Sequence, residues 1–239
     1  MKVKALVAVR SGSQRVQNKN VKPFAGSDLL SIKINQLLRI EGLGGVVVNS
    51  NDDGMLKTAS ELGCETVKRD GKYASNTVSM SDVYKNMAEN FPGDIVVYAN
   101  VTNPLIKDET IERAVKEYLK FLEFDSGYNS LNSAHLIKEF LFEKNKPINY
   151  DPYNQPRSQD LPDIYALNFA VSVISKNDMI KFKNVVGDKP YIYSIDEIEG
   201  ADIDDPIDFE FAEYYYRKTV PSQCPPLKKT SSTKTSTSF

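Results

Sequence analysis

Six cations and no acid fall within residues 1–22: Lys2, Lys4, Arg10, Arg15, Lys19 and Lys22. From Arg10 on they punctuate a polar loop that follows the apolar run from Val3 to Val9. Such a loop suits phosphate. Gly12 permits close backbone approach, Ser11 and Ser13 add hydroxyl donors, and Arg10, Arg15 and Lys19 offer charge to several oxygens. It is not a Walker A loop, because it lacks the Gly-Lys-Ser/Thr ending. Far along the chain, residues 196–213 hold nine carboxylates and no Lys or Arg. Asp202 and Asp204 share one face of an extended backbone, where their like charges repel. A magnesium ion, held by one or two carboxylates plus phosphate oxygens, compensates such a pair. Cations and backbone donors on one side, with hard oxygen ligands on the other, are what a nucleoside triphosphate and its metal require.

Composition narrows the partners. A chain of 239 residues with formal net charge −2 has no global attraction for nucleic acid or anionic lipid, so a basic site must be local. The opening apolar stretch is too short for a secretory leader or a membrane span, and a cytoplasmic protein is expected. Cys64 and Cys224 lie far apart and His135 is the one histidine, which argues against a zinc cluster. No acidic residue stands ready to orient His135 as a base, so a structural or acceptor-rim position is expected for it.

These residues need a scaffold that brings them together. Strand-like runs at 5–9, 45–49, 65–68 and 94–99 alternate with helical patterns at 29–40, 55–62, 78–90 and 111–121. Further strands are expected at 165–175 and 191–195. A closing helix follows, with Asp205 as N-cap, Pro206 at its first position and Asp208 in its first turn. This alternation predicts an α/β fold, a Rossmann-like three-layer sandwich with a mostly parallel sheet. In such folds ligands bind beyond the carboxyl ends of the strands, so the loops starting at Arg10, Asn49 and Asn100 are expected to gather at one edge. The pattern breaks at 135–162, read as an inserted dimerisation and acceptor subdomain. Residues 1–134 and 163–220 form the main domain, and 221–239, rich in Pro, Lys, Ser and Thr, is expected to be a disordered tail.

The segment from Ala8 to Lys22 resembles the signature of sugar cytidylyltransferases, especially the CMP-sialic acid (acylneuraminate) synthetases, written P-A-R-x-x-S-K-x-x-x-x-K-N. Arg10, Ser13, Lys19 and Asn20 match. Ala8 replaces the proline, Val9 the alanine and Gln14 the lysine, with Arg15 adjacent to supply the charge. Further stretches match in the same order. Arg69 to Ser79 is similar to the family's Arg-Pro and Asp-Thr region, with Asn76 where aspartate is common. Asn100-Val-Thr-Asn-Pro-Leu105 resembles Gln-Pro-Thr-Ser-Pro-Leu, with Ile106 in place of a frequent arginine. Gln155 to Asn168 resembles an Arg-Gln-x-Leu-Pro stretch running into a strand, with Phe169 where glycine is typical. Asp202-Ile-Asp204 corresponds to the family's Asp-x-Asp element.

The resemblance implies a nucleotide-diphospho-sugar transferase fold and joining of CTP to a nonulosonic acid, with release of diphosphate. It implies nucleotide contacts from Ala8, Arg10, Ser11, Gly12, Ser13, Arg15, Lys19, Asn20, Arg69, Ser75, Asn76, Asn100 and Thr102. Arg157 and Gln159 would face the acceptor, whose carboxylate suits a guanidinium. Asp202 and Asp204 would hold Mg2+ and, with Arg10 and Lys19, carry the catalytic charge. A homodimer is implied, with the excursion reaching into the partner. Asn100, Ile106 and Phe169 leave open another acid, such as the deoxy-octulosonate sugar or a phosphonate. Gln14 and the altered Asn100 segment leave open a non-catalytic nucleotide- or sugar-binding protein.

Overall fold

The computed structural model describes residues 1–13, 15–75 and 77–219. The expected disordered tail and Cys224 lie outside the described residues. In chain order the elements are β1 (Val3–Ala8), β2 (Pro23–Phe24), β3 (Ser27–Asp28), α1 (Leu29–Arg39), β4 (Val46–Ser50), α2 (Asp53–Glu61), β5 (Glu65–Lys68), α3 (Met80–Glu89), β6 (Ile95–Tyr98), α4 (Asp108–Phe124), β7 (Ser130–Ile137), β8 (Phe142–Glu143), β9 (Lys146–Pro147), β10 (Ile164–Ser175), α5 (Lys176–Phe182), β11 (Pro190–Ser194) and α6 (Pro206–Thr219).

Seven strands form one sheet in the order β11-β7-β10-β6-β1-β4-β5. β10 runs antiparallel to both its neighbours, and every other pairing is parallel. Period-two alternation explains why both faces are covered. Ala5 and Val7 of β1 join Val46, Val48, Ile95 and Val97 in a core shared with residues of α1, α2, α4 and α6. Leu6, Val47, Val96 and Tyr98 point the other way, into a core with residues of α3 and α5. The result is the three-layer α/β sandwich with a mostly parallel sheet that the alternating pattern predicts.

Local signals set the helix starts. The side chains of Asp28, Asp52, Ser79 and Ser175 each accept a backbone hydrogen bond at the first turn of α1, α2, α3 and α5. Asp205 does the same for α6, accepting from the amides of Ile207 and Asp208 at 2.9 and 3.1 Å, as expected from Asp205-Pro206.

Two elements escape the sequence pattern. β7 reads Ser-Leu-Asn-Ser-Ala-His-Leu-Ile, poor in β-branched residues, yet Ser130, Asn132 and Ser133 are wholly buried in it. Their hydroxyls and amide bond one another and Asn168, which stands in for apolar packing. Because β7 continues to Ile137, His135 lies inside the main sheet, and the excursion leaves it two residues later than the break in pattern suggests. α5 is a short, charged helix on the end of β10. The excursion itself carries only the β8–β9 hairpin and a short turn of 3-10 helix at Ser158–Asp160.

Candidate active site

Parallel pairing of β1 with β4 and β6 brings their carboxyl ends together, and three loops leave the sheet there. Ser11 of the first loop and Asn51 of the second exchange two hydrogen bonds, 3.2 and 3.0 Å long. The third loop, from Asn100, borders the same cavity as Arg10. The expected gathering at one edge is therefore observed.

The basic loop is held open by its own backbone bonds. Gly12 sits at φ +86°, in the left-handed region that side chains resist. Asn20, nearly buried, donates its amide to the Arg10 carbonyl at 3.2 Å. Lys19 and Arg15 then reach across to the acidic segment. Lys19 Nζ donates to the Ile203 carbonyl, and Arg15 Nη2 pairs with Asp204 Oδ1 at 2.7 Å. The third loop completes the junction, with the Ile203 amide donating to the Thr102 carbonyl at 2.9 Å. Ile203 is fully buried between Asp202 and Asp204, which are both exposed, the alternation an extended backbone would give.

A cavity of about 410 Å³ lies inside this ring, lined by Ala8, Arg10, Ser13, Arg15, Lys19 and Asp204 among others. Asn100 and Thr102 line it as well. A second, of about 360 Å³, shares Ala8, Val9 and Arg10 with the first and extends past Arg69, Tyr73, Ser75, Met87 and Tyr98. The first is polar and cationic. The second is walled by aromatic and sulfur-bearing side chains over a buried guanidinium. A third cavity of about 420 Å³ borders α1, α4 and α6, and its cations Arg39 and Lys107 are already taken up in the Arg39–Asp108 and Lys107–Glu199 pairs. The chemistry belongs to the first two.

Electrostatics mark the same residues. Burial holds the Lys19 pKa below the ordinary lysine value, against the opposing fields of Asp202 and Asp204. Asp202 is an exposed residue, yet partial desolvation of its carboxyl by the surrounding protein pushes its pKa up. A hydrogen bond with the Thr102 side chain opposes that shift, and the Asp204 charge adds to it. The Lys19 charge offsets part of the rise. Arg69 is buried, with Nε and Nη2 bonded to the side chain and carbonyl of Asn49 at 2.6 and 3.0 Å, and burial lowers its pKa.

A scan against protein-family models matches the cytidylyltransferase family over residues 4–223. The chain belongs to the cytidylyltransferase family. Among curated cytidylyltransferase relatives, the N-acylneuraminate cytidylyltransferase of Oncorhynchus mykiss is 24% identical over 220 residues, 88% of this chain and 49% of the relative. The pseudaminic acid cytidylyltransferase of Campylobacter jejuni is 26% identical over 234 residues, 91% of this chain and 97% of the relative. The chain spans about half the length of the fish cytidylyltransferases it matches. Among solved structures, a CMP:2-keto-3-deoxy-manno-octonic acid synthetase complexed with CTP superposes with TM-score 0.66 at 13% identity, covering 91% of this chain and 99% of that one. These relatives bear out the resemblance to CMP-sialic acid synthetases and the nucleotide-sugar transferase fold.

Within the cytidylyltransferase framework, several expected site residues take specific places. Arg10 Nη1 donates to the Ala74 carbonyl at 2.7 Å, tying the basic loop to the segment that carries Ser75. The Ser75 hydroxyl bonds the Lys72 carbonyl at 2.7 Å and Thr77 Oγ1 at 2.9 Å. Asn76 and Gln14 lie outside the described residues. Arg157 and Gln159 border neither cavity, and Arg157 pairs with Asp160 at 2.7 Å within its own turn. Among the described residues, His135 Nδ1 is buried without a hydrogen-bond partner.

Sequence reasoning passed over Tyr98, Met87 and Asn51. Tyr98 ends β6, is buried with a hydrogen bond to Tyr84, and lines the second cavity, a position that the strand-end rule points to. Met87 lies on α3, where it reads as an ordinary core residue.

Proposed function

We propose that this chain is a cytoplasmic cytidylyltransferase that joins CTP to a nonulosonic, sialic-type acid, giving a CMP-sugar and diphosphate. The observation that carries the reading is the convergence of Arg10, Arg15 and Lys19 on a cavity that Asp204 closes from the far end of the chain. Family membership and the relatives' names supply the nucleotide and the acceptor class. In this reading the triphosphate lies among Arg10, Ser13, Arg15 and Lys19, whose charges stabilise the oxygens of the leaving diphosphate. Cytidine occupies the neighbouring cavity beside Arg69 and Ser75. The acceptor hydroxyl attacks the α-phosphorus in line, the bond to the bridging oxygen of the β-phosphate breaks, and no covalent enzyme intermediate forms.

Asp202 and Asp204 fit Mg2+. Two carboxylates two positions apart, whose charges oppose each other, are a donor set that magnesium completes with phosphate oxygens and water. Among the described residues no cluster of three or more His, Cys, Asp or Glu makes an all-protein cage, which also suits an ion shared with substrate. Bound there, Mg2+ would neutralise phosphate charge and lower the pKa of the acceptor hydroxyl.

The acceptor site includes Arg157 and Gln159. Since neither borders the cavities of its own protomer, they act on a second copy in a homodimer, with the excursion crossing over. Exposed Phe142, Ile148 and Tyr153 give that excursion an apolar contact surface. No helix among the described residues is long and apolar enough to cross a membrane.

Phe169 favours a second acceptor reading. It occupies φ +53° at a bulge in β10, and its ring fills space that glycine would leave empty, so deoxy-octulosonate or phosphonate acceptors belong in the assay. The test is diphosphate release from CTP and Mg2+ with a panel of these acids. Turnover with a sialic-type acid supports the proposal. Turnover only with another acid keeps the reaction and replaces the acceptor, and CTP binding without any product makes the chain a binder.

A further inference from the structure

Lys33 sits in the middle of α1 and is wholly shielded from solvent. Among the described residues it forms no ion pair. Its ammonium donates instead to Gln36 Oε1 at 2.7 Å and to the Asn103 carbonyl at 3.1 Å. A buried cation with only neutral acceptors is costly, and apolar residues at the same helix position would be cheaper. Stability alone gives no reason for it.

Asn103 is equally buried, and its side chain works in the opposite direction. Nδ2 donates to the carbonyls of Gly200 and Ala201 at 3.0 and 3.2 Å. Those are the two residues immediately before Asp202. One position earlier, the Thr102 carbonyl accepts from the Ile203 amide, and the Thr102 side chain bonds Asp202 itself. Gln36 closes the base of the assembly by donating to the Ile106 carbonyl at 2.6 Å and to Asp108 Oδ1 at 2.9 Å. Both ends of the 103–106 segment are therefore pinned to α1, while its upper side holds the main chain that presents Asp202. Gly200 has no room for a side chain, since a Cβ there would lie 2.3 Å from Asn168 Nδ2, so the turn cannot relax in that direction.

We infer that Lys33 and Asn103 are positioning residues for the cytidylyl-transfer reaction: the Lys33 ammonium fixes the Asn103 main chain, and the Asn103 amide sets where Asp202 presents its carboxylate to a metal-bound triphosphate. The inference rests on the proposed CTP reaction. Neither residue touches substrate, and both act through the backbone at Gly200–Asp202. The Asn103 amide bonds the acidic turn directly, whereas the basic loop meets that segment through Lys19 and Arg15, so losing the amide should disturb binding of the magnesium complex more than binding of the bare triphosphate.

The experiment compares the wild-type chain with Lys33→Met, Asn103→Leu and the milder Asn103→Ser. CTP affinity is measured by calorimetry in EDTA and again with Mg2+, together with kcat and thermal stability. The expected result is CTP affinity in EDTA within about twofold of wild type, loss of about tenfold of the magnesium-dependent gain in affinity, and kcat lowered by a similar factor. Asn103→Ser should fall between wild type and Asn103→Leu. A merely structural role would leave the magnesium-dependent gain intact whichever way the melting temperature moves, and that outcome overturns the inference. If Asn103→Leu does not fold, Lys33→Met and Asn103→Ser decide. Absence of CTP binding by the wild-type chain would instead overturn the reaction on which the inference rests.

Discussion

Arg15 Nη2 and Asp204 Oδ1 lie 2.7 Å apart although 189 positions separate them in the chain. Under the proposed function Arg15 serves phosphate and Asp204 serves metal, and here the two neutralise each other. Both side chains are more than half exposed, at 67% and 52%, so the pair adds little to stability and is easily exchanged for substrate.

Asp204→Ala should accordingly leave thermal stability within about 1 kcal/mol of wild type. Its magnesium-dependent turnover should fall by about a hundredfold or more, because a ligand used in the transition state is lost. Melting curves and diphosphate release measure the two effects on one protein preparation.

The Lys33 ammonium predicts a specific pH dependence of stability. Burial pulls its pKa from 10.5 down to about 7, and the Asp108 charge offsets only part of that. In the unfolded chain the amine stays protonated to about pH 10.4. Below pH 7 the folded protein therefore bears the full cost of a buried charge. Between about pH 7 and 10 the unfolded state binds more protons, so the Lys33 contribution to stability rises with pH, by up to about 1.4 kcal/mol per unit. Urea unfolding of wild type and Lys33→Met across this range should show the variant's relative advantage greatest near pH 6 and shrinking as pH rises. Parallel curves would count against the burial cost.

Phe169 separates backbone strain from packing. Its positive φ is disfavoured for any residue with a Cβ, and its ring packs beside the Tyr98 core. Phe169→Ala loses the packing and keeps the strain, whereas Phe169→Gly loses both. The glycine variant should be the more stable of the two by about 1 kcal/mol, read from denaturant midpoints. The reverse order would show that the bulge relaxes.

Arg157 offers a test of acceptor binding in trans. Hybrid dimers of Arg157→Ala with Asp204→Ala should recover part of the turnover that each homodimer lacks, since one of the two sites then keeps both residues. No recovery, with mixed dimers verified by mass, would place Arg157 outside the partner's site.

Much of this was legible in the sequence because it is local. Alternating apolar runs, Asp205-Pro206 as a helix start, and Gly12 in a cationic loop each depend on neighbours a few positions away. β7 was not legible, because Ser130, Asn132 and Ser133 are polar residues made buriable by partners on other strands. Lys33 was equally hidden. In Leu-Leu-Ser-Ile-Lys-Ile-Asn-Gln it reads as the solvated cation of an amphipathic helix.

The residue types by themselves determined the chemistry on offer: a cationic Ser/Gly loop, a spaced pair of carboxylates and the strands that carry such loops to one edge. Only the tertiary structure decided that Arg15 faces Asp204, that Arg157 pairs with Asp160 away from both cavities and that a buried lysine bonds the Asn103 main chain beneath the acidic turn. The physical reason is that charge and hydrogen-bonding capacity belong to each side chain, whereas burial and distance are set by packing between segments remote in sequence. Burial turns Lys33 from a surface cation into a costly buried one, and no window of sequence contains the residues that bury it.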